Sequence, residues 1–443
     1  MNDQDVAAFK NSLRGPVLQA GDADYDEARK LYNAMIDKRP RLIARCADVA
    51  DVVACVNFGR DNDLRIAIRG GGHNGAGFGS VDNGLVIDLS AMKGVRVDPK
   101  ARTVRVGPGC TTGEVDHATH LFGQAVPFGI ISTTGVAGIT LNGGHGYLGR
   151  QYGLVCDNLI EADIVLADGS FLTASKEENA DLFWALRGGG GNFGVVTSFL
   201  FRTNPAKMLY GGPIIFDLAD AAGVMRWYRD FQRSAPEPFY IFLGLQTVPP
   251  ADPFPREHWN KRMCVLLVAH SGERAEREVD AARKSLPKPL IDWVGPIAYP
   301  ALQSMFDALN PPGMFWYWKG DYVKELPNAA IEAHIAHAAN APSYFSLMHL
   351  YPIDGAVHRI AKDETAWGAR DATWSMVIAG IDPDPRKAAE LKAWATDYWA
   401  AVHFFNLEGA YPNFMMGDEG EARIKAASFI SRRNCSLCSA GYQ

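Results

Sequence analysis

The sequence has no run of about eighteen apolar residues, the length that a membrane-spanning helix needs. It also has little excess of either charge, since 44 Lys and Arg against 50 Asp and Glu leave a net charge of -6 at pH 7. Binding of nucleic acid needs concentrated Lys and Arg to neutralise phosphates. The polar, acidic segment 1–5 is unlike a secretory signal, which begins basic and then turns apolar. We therefore expect neither a membrane nor a nucleic acid as a partner.

Cysteine is scarce, with 7 residues spread along the 443-residue chain. An odd, scattered set favours reduced thiols over a disulfide framework and predicts a cytoplasmic protein. Cys435 and Cys438 form a C-x-x-C pair, but no second pair stands at zinc-finger spacing. We predict no metal site.

The length predicts two domains, or one domain with a large insertion. Short strands with few helices dominate the first half. Strands are predicted at 41–44, 64–68, 85–87 and 195–201, hairpins at 95–106 and 164–172, and helices from 47 and over 112–121. After Pro205 the alternating segments become longer. Strands are predicted at 212–216, 239–245, 263–268, 344–350 and 373–379, and helices at 221–232, 271–286 and 386–401.

Three glycine clusters stand in the first half, at 69–74, 131–144 and 188–196. Glycine at the end of a strand lets the backbone approach a ligand and direct successive N–H groups at an anion. One such cluster is weak evidence, because glycines also serve turns. Three in one domain, most of them beside strands, predict an extended cofactor that carries phosphate.

Gly144, Gly146 and Gly149 also form a G-x-G-x-x-G pattern, which in a Rossmann fold binds a dinucleotide. That interpretation requires a strand just before the first glycine, and segment 138–143 is no convincing strand. His73 is open to two interpretations. A histidine is most often a surface or hydrogen-bonded residue, but neutral imidazole is a nucleophile and could attack the C8-methyl position of an oxidised flavin.

An ordered series of motifs resembles the FAD-linked oxidases of the vanillyl-alcohol oxidase/p-cresol methylhydroxylase superfamily, most closely the berberine-bridge-enzyme-like group. The first motif is Arg69-Gly70-Gly71-Gly72-His73. The others are Gly84 to Ser90, Gly107-Pro108-Gly109, Tyr152 to Asn158, Ala167-Asp168-Gly169, Asp181 to Gly190, Gly191 to Thr197, Asp363 to Trp367 and Ala410 to Phe414. The likeness spans roughly residues 35–425.

The resemblance implies an α+β protein with a PCMH-type FAD-binding domain of two subdomains and a substrate domain whose antiparallel sheet is backed by helices. The implied parts are an N-terminal segment 1–36, the FAD domain 37–205, the substrate domain 206–404 and a C-terminal return 405–443. It implies that FAD is bound by a set of residues from the glycine clusters and the return. These are Arg69, Gly70, Gly71, Gly72, His73, Asn74, Ser132, Thr133, Thr134, Gly135, Gly138, Asn142, Gly143, Asn192, Gly194, Val195, Val196, Tyr411 and Asn413.

Many members of the family attach the flavin twice, through a histidine and through the cysteine of a Gly-Val-Cys-Pro-Thr loop. When Gly129 and Gly135 are aligned with that loop, Ile131 takes the cysteine's place. The resemblance therefore implies one covalent bond, through His73. The segment after Ala427 differs from the family, since it reads Ser428 to Cys438 and then stops at Gln443, where a helix and a closing motif are expected.

Oxidation of an alcohol by hydride transfer also needs a base within hydrogen-bond reach. The resemblance makes Tyr411 the first candidate, and a phenol in that role needs a lowered pKa. His349 and Tyr351 lie on one face of a predicted strand and serve equally if that face looks at the flavin. The alternative is that this face points away. The aromatic run 315–318 is expected either to line the substrate cavity or to lie in the core.

Two functions are consistent with the sequence. The first is an FAD-dependent oxidoreductase that oxidises an alcohol group of a sugar or secondary metabolite by hydride transfer to flavin N5. Its electron acceptor is expected to be O2 or another small molecule. The second is a flavoprotein that binds a small aromatic compound without turning it over.

Overall fold

In the computed structural model, residues 2–420 and 422–423 are described. The prediction for the end of the chain, from Ser428 onward, lies outside them, as does the C-x-x-C pair. Within these residues no helix is both long and apolar enough to cross a membrane.

The first sheet is four-stranded, with the order β1-β2-β4-β3. Its strands are β1 (Val17–Leu18), β2 (Leu42–Arg45), β3 (Ile66–Arg69) and β4 (Leu85–Asp88). Strands β2, β4 and β3 run parallel. Two helices precede β2, and α3 connects β2 to β3; they are α1 (Asp3–Ser12), α2 (Tyr25–Ala28) and α3 (Val49–Asp61). Helix α3 begins where Asp48 accepts a hydrogen bond from the Asp51 N–H, a side-chain N-cap.

The second sheet is five-stranded and antiparallel, with the order β5-β6-β10-β8-β9. Its strands are β5 (Val95–Asp98), β6 (Thr103–Val106), β8 (Leu159–Val165), β9 (Phe171–Ser175) and β10 (Val195–Arg202). Both predicted hairpins are confirmed. The turn between β8 and β9 contains Gly169 at φ +84°, a conformation that glycine adopts without strain.

A pair of short strands and four helices complete this half. They are β7 (Gln124–Ala125), β11 (Asn204–Pro205), α4 (Thr112–His120), α5 (Val136–Leu141), α6 (Gly149–Tyr152) and α7 (Ala180–Leu186). The Rossmann interpretation fails because α5, not a strand, precedes Gly144, and α6 has only four residues.

The third sheet is eight-stranded and antiparallel, with the order β15-β12-β14-β13-β18-β19-β17 and β16 paired to β12. Its strands are β12 (Met208–Asp217), β13 (Phe239–Thr247), β14 (Arg262–His270), β15 (Ile291–Asp292), β16 (Gly295–Ala298), β17 (Phe315–Val323), β18 (Leu347–Pro352) and β19 (Trp374–Asp382). Its helices are α8 (Ala221–Gln232), α9 (Ala275–Arg283), α10 (Tyr299–Gln303), α11 (Asn328–Ala339) and α12 (Ala388–His403).

The helices and strands predicted for the second half of the chain were incomplete. The helix expected over 271–286 is confined to α9, and β17 and α11 were not predicted. Strand β17 holds a run of four aromatics followed by charged residues that turn out to be buried, so no alternation marks it. Its buried Lys319 and Asp321 bind Glu419 and Arg423, which fastens the chain after α12 to this sheet.

Candidate functional site

One cavity of about 1070 Å³ is lined by the glycine clusters on one side and by the third sheet on the other. We call it the central cavity. It is lined by residues from 65–81, 129–145 and 188–196, by side chains of β13, β14, β17, β18 and β19, and by Tyr411 to Met416. The three glycine clusters, widely separated in sequence, therefore meet around one space.

His73 lines this cavity, three glycines after the end of β3 at Arg69. Its ring is stacked on Tyr32, with 3.9 Å between ring centroids. Burial lowers the pKa of His73 to about 4. The imidazole is therefore neutral at pH 7, the form in which a ring nitrogen carries a free lone pair.

Backbone packing between two glycine clusters explains why both need glycine. A Cβ added to Gly71 would lie 2.5 Å from the Gly135 nitrogen, and one added to Gly135 would lie 2.4 Å from the Gly71 nitrogen. No side chain fits between backbones at that distance. The two clusters therefore form one continuous rim of peptide groups.

Gly71→Ala should accordingly destabilise the fold, by roughly 2–3 kcal/mol as for an overpacked core. Urea unfolding of the purified protein measures this. Gly149→Ala is the matched control, because its Cβ meets nothing within 4 Å. Equal stability of the two variants would show that the rim has room to spread.

Not every residue of the predicted set faces the cavity. Arg69 lines it, yet its guanidinium donates to Asp88 Oδ2 at 2.6 Å and to the Ala28 carbonyl at 2.6 Å. Ser132 is bound by Asp307: the Ser132 N–H donates to Asp307 Oδ1 at 3.0 Å, and the Ser132 hydroxyl donates to Asp307 Oδ2. Ser132, Thr133, Gly143 and Val195 are absent from the lining, whereas the other residues of the set belong to it. Thr133 is hydrogen-bonded through its backbone to His73.

Tyr411 and Asn413 reach the cavity together from the C-terminal return. Asn413 Nδ2 donates to Tyr411 Oη at 2.7 Å, and Asn142 Nδ2 donates to Asn413 Oδ1 at 3.1 Å. Burial raises the pKa of Tyr411 above its usual value. This is opposite to the lowered pKa that a tyrosine base needs, so the phenol is held neutral.

His349 and Tyr351 also face the central cavity, so the alternative that their strand face points away is wrong. The His349 Nε2–H donates to Gln246 Oε1 at 3.0 Å, and Tyr351 Oη donates to His349 Nδ1 at 2.6 Å. Burial lowers the pKa of His349 to about 3 and raises that of Tyr351. Both groups are neutral, and the tyrosine oxygen keeps its lone pairs for a further donor.

The absence of a side chain at Gly244 makes room for the His349 imidazole. Gly244 on β13 lies opposite His349 on β18 in register, and a Cβ there would come within 2.8 Å of His349 Cδ2. The His349 ring therefore packs directly against the backbone of β13 at Gly244.

Comparison with known proteins shows the family to which the chain belongs. Residues 40–175 match a family model described as an FAD binding domain. (R)-6-hydroxynicotine oxidase of Paenarthrobacter nicotinovorans is 30% identical over 403 residues, covering 86% of this chain and 84% of that protein. Chitooligosaccharide oxidase of Gibberella zeae is 33% identical over 327 residues, covering 72% and 61%. The chain is an FAD-linked oxidoreductase of the vanillyl-alcohol oxidase/p-cresol methylhydroxylase family.

The fold agrees with this assignment. The solved structure of the Physcomitrella patens BBE-like 1 protein superposes with a TM-score of 0.83, covering 96% of this chain and 93% of that one at 22% identity. An FAD-linked oxidoreductase needs a long cleft with a peptide-lined cradle, and the central cavity with its Gly71–Gly135 rim fits that requirement.

His145 is a residue of this oxidoreductase that the sequence did not single out. It lines the cavity at 7% exposure, with its ring centroid 4.6 Å from that of Tyr411 and 5.6 Å from that of Phe414. Within the described part of the chain, neither ring nitrogen has a hydrogen-bond partner. Burial lowers its pKa to about 3. The only signal in the sequence was its place between Gly144 and Gly146, inside the rejected dinucleotide pattern.

His145→Phe should therefore reduce acid sensitivity. A histidine with a pKa of about 3 in the fold and 6.5 in the unfolded chain stays neutral when folded but binds a proton when unfolded. The free energy of unfolding of the wild type therefore falls as the pH drops below 6.5. From pH 7 to pH 5.5 the variant should lose about 1 kcal/mol less of its free energy of unfolding than the wild type. Urea unfolding of both proteins in a His73→Ala background, from which FAD can be removed, gives the comparison at both pH values. The same loss in variant and wild type would contradict the burial argument.

The aromatic run of β17 is divided between two faces. Trp316 and Trp318 line the central cavity. Tyr317 points to the other face, where its hydroxyl donates to Asp418 at 3.0 Å. The run therefore serves both as cavity wall and as core, through the strand's two-residue period.

Proposed function

We propose that this FAD-linked oxidoreductase carries FAD on a single covalent bond to His73 and oxidises an alcohol group of a small molecule, with O2 as the electron acceptor. The observation that carries the proposal is the meeting of His73, the glycine rim and the Tyr351–His349 pair in one cavity. When bound, FAD supplies the hydride acceptor at flavin N5.

The glycine rim is assigned the diphosphate. Peptide N–H groups of Gly70 to Asn74 and Thr134 to Gly138 would point at the phosphates, and Lys38 and Arg65 in the same lining add positive charge. Arg69 acts indirectly, since its bond to Asp88 fixes the strand end from which the rim starts. Ser132 likewise positions its loop through Asp307.

The remaining residues of the predicted set belong to the other parts of FAD. Asn192, Gly194 and Val196 line the cavity where the cofactor's adenosine and ribityl portions would lie, with Val195 behind them in the core. Asn142, Tyr411 and Asn413 form one hydrogen-bonded group that would stand beside the flavin ring, with Gly143 behind it.

The single covalent bond is argued from two residues. His73 is neutral and is held by Tyr32, so a ring nitrogen would be free to form the bond to the C8-methyl carbon. The methyl group would lose one C–H hydrogen in that step, and the two electrons released would pass through the flavin to O2, the acceptor proposed above. Ile131, in the position aligned with the second attachment, lines the cavity with an inert side chain. His73 thus supplies the only attachment proposed here.

The Tyr351–His349 pair is the proposed proton acceptor. A substrate hydroxyl donates to Tyr351 Oη, whose own proton moves to His349 Nδ1 while Gln246 holds the Nε2–H. Tyr411 Oη accepts from Asn413 and, among the described residues, has no base like His349 to take up its own proton, so we assign it to substrate positioning.

The overall proposal is tested with purified holoprotein. Flavin absorbance should bleach on anaerobic addition of an alcohol substrate and return with air, with one H2O2 formed per O2 consumed. Bleaching that air does not reverse would assign a different acceptor. Binding of alcohols without any bleaching would instead favour a flavoprotein that only binds its ligand.

A further inference from the structure

The loop that carries His73 is bound by a segment near the N-terminus. This loop, residues 70–84, lies wholly within the described chain and forms no helix or strand there, so it lacks the regular backbone hydrogen bonds of those elements. We call it the attachment loop. Residues 31–38 run beside it, and the Lys38 ammonium donates to the Gly77 carbonyl at 2.8 Å. The position of the loop therefore depends on contacts with this segment.

Asn33 joins the attachment loop to β17 of the third sheet, and it is buried at 1% exposure. Its Nδ2 donates to the Gly75 carbonyl and to the Trp316 carbonyl, both at 3.0 Å. Its Oδ1 accepts from the N–H groups of Met35 and Trp316, at 3.0 and 3.1 Å. Trp318 packs on the same loop, since a Cβ added to Gly75 would lie 2.3 Å from Trp318 Cζ2. One amide, with both donors and both acceptor positions in use, therefore fixes the loop to the sheet.

Tyr32 holds the imidazole of His73. The two rings are stacked, with 3.9 Å between their centroids and 23° between their planes. The Tyr32 hydroxyl donates to the Asn310 carbonyl, which fixes the tyrosine to the substrate half of the chain. His73 is also hydrogen-bonded to the backbone of Thr133. These contacts together set the orientation of the imidazole.

We infer that Tyr32 and Asn33 are positioning residues for the covalent bond between His73 and FAD. Tyr32 orients the ring, and Asn33 holds the attachment loop at its distance from the third sheet. This inference rests on the proposed bond and names the residues that make it form. Holding the reacting atoms in place lowers the barrier of such a step, and a displacement of about 1 Å can cost about a hundredfold in rate.

Formation of this bond is an oxidation. A ring nitrogen of His73 becomes bonded to the C8-methyl carbon of FAD. The methyl group loses one hydrogen and the imidazole loses its N–H hydrogen, both as protons, and two electrons are released. One O2 takes up the two electrons and two protons to give one H2O2. Tyr32 and Asn33 exchange no atom or electron in this step.

The test uses full-length chains produced in a riboflavin-starved host and mixed with saturating FAD in air. Samples are precipitated with acid at intervals, and the flavin that stays on the polypeptide gives the rate of attachment. Asn33→Ala should slow attachment at least about tenfold, because the loop is no longer tied to β17. Its affinity for FAD, measured separately by fluorescence titration, should stay that of the wild type, because the Gly71–Gly135 rim is unaltered.

Asn158→Ala is the matched control. Asn158 is likewise buried, at 2% exposure, but lies outside the cavity lining. Its Nδ2 donates to the carbonyls of Tyr152 and Leu154 at 2.9 and 2.8 Å, and its Oδ1 accepts from Asn204 at 2.9 Å. This variant should lose stability to urea as Asn33→Ala does, yet attach FAD at the wild-type rate.

A second pair of variants examines the stacked ring. Tyr32→Phe keeps the ring and loses the hydroxyl, so it should attach FAD at close to the wild-type rate. Tyr32→Leu keeps apolar bulk but removes the stacked face, so it should slow attachment at least about tenfold. A role in packing alone would leave these two variants alike.

The inference is overturned if Asn33→Ala attaches FAD at the wild-type rate, or if Asn158→Ala is slowed as much. It is also overturned if Asn33→Ala binds FAD more weakly but attaches it normally at saturation, or if Tyr32→Leu is as fast as Tyr32→Phe. Attachment in the wild type with unchanged rates in the variants defeats this inference alone. No attachment in the wild type defeats the proposed bond and the inference together.

Discussion

His73→Ala is expected to abolish retention of flavin after acid denaturation, because it removes the only side chain to which a covalent bond is assigned. Wild-type protein should stay yellow after precipitation and give one flavin on the polypeptide by mass spectrometry. The variant should release its FAD completely into the supernatant. It should still bind FAD before denaturation, since the Gly71–Gly135 rim is unaltered.

His117→Ala is the matched control for this experiment, because His117 is exposed on α4, outside the cavity lining. It should retain the flavin like the wild type. A colourless wild-type pellet would refute the covalent bond but not FAD binding. A yellow His73→Ala pellet would place the attachment on another residue.

Tyr351→Phe is expected to slow flavin reduction by the substrate on the order of 10²–10⁴-fold, the usual contribution of a positioned base. The phenyl ring keeps the packing against Phe242, whose ring centroid lies 5.1 Å away, and loses only the oxygen that donates to His349 Nδ1. Anaerobic stopped-flow measurement of the reduction rate at saturating substrate gives the result.

Tyr411→Phe distinguishes the two tyrosines. If Tyr411 only positions the substrate, its variant should weaken binding and leave the reduction rate at saturation within about tenfold of the wild type. A larger loss for Tyr411→Phe than for Tyr351→Phe would exchange the roles proposed here.

The pH profile gives an independent check on the Tyr351–His349 pair. His349 must be neutral at Nδ1 to accept the tyrosine's proton, and its pKa of about 3 keeps it so well below neutral pH. The reduction rate should therefore not fall between pH 8 and pH 5. A loss of rate centred near pH 6.5 would show that an ordinary histidine controls the step.

Much of the flavin-binding half was predictable because its signals are local. The hairpin over β8 and β9 is set by an Asp-Gly turn between two apolar segments, and the strand before His73 by its apolar run. The third sheet was predicted less completely. Strand β17 buries a lysine and an aspartate that pair with Glu419 and Arg423, about a hundred residues away in sequence.

The residues of the candidate site were likewise only partly predictable from the sequence. The sequence could propose His349 and Tyr351 from their two-residue spacing, but their direction depended on which face of the sheet meets the cavity. Gln246 was not proposed, because it lies 103 residues from His349 and becomes its partner only through pairing of β13 with β18. His145 was missed because its isolation from hydrogen bonds is a property of its packing.

By itself, therefore, the sequence determined the class of cofactor and singled out His73 for the proposed attachment. Glycine clusters and a histidine after a strand restrict local backbone geometry, and local geometry depends on nearby residues alone. Only the tertiary structure decided the protonation states and the hydrogen-bond partners of the side chains on the substrate side. Burial shifts the pKa values of His73, His349 and Tyr411, and burial is the joint effect of strands and loops that meet only in the folded chain.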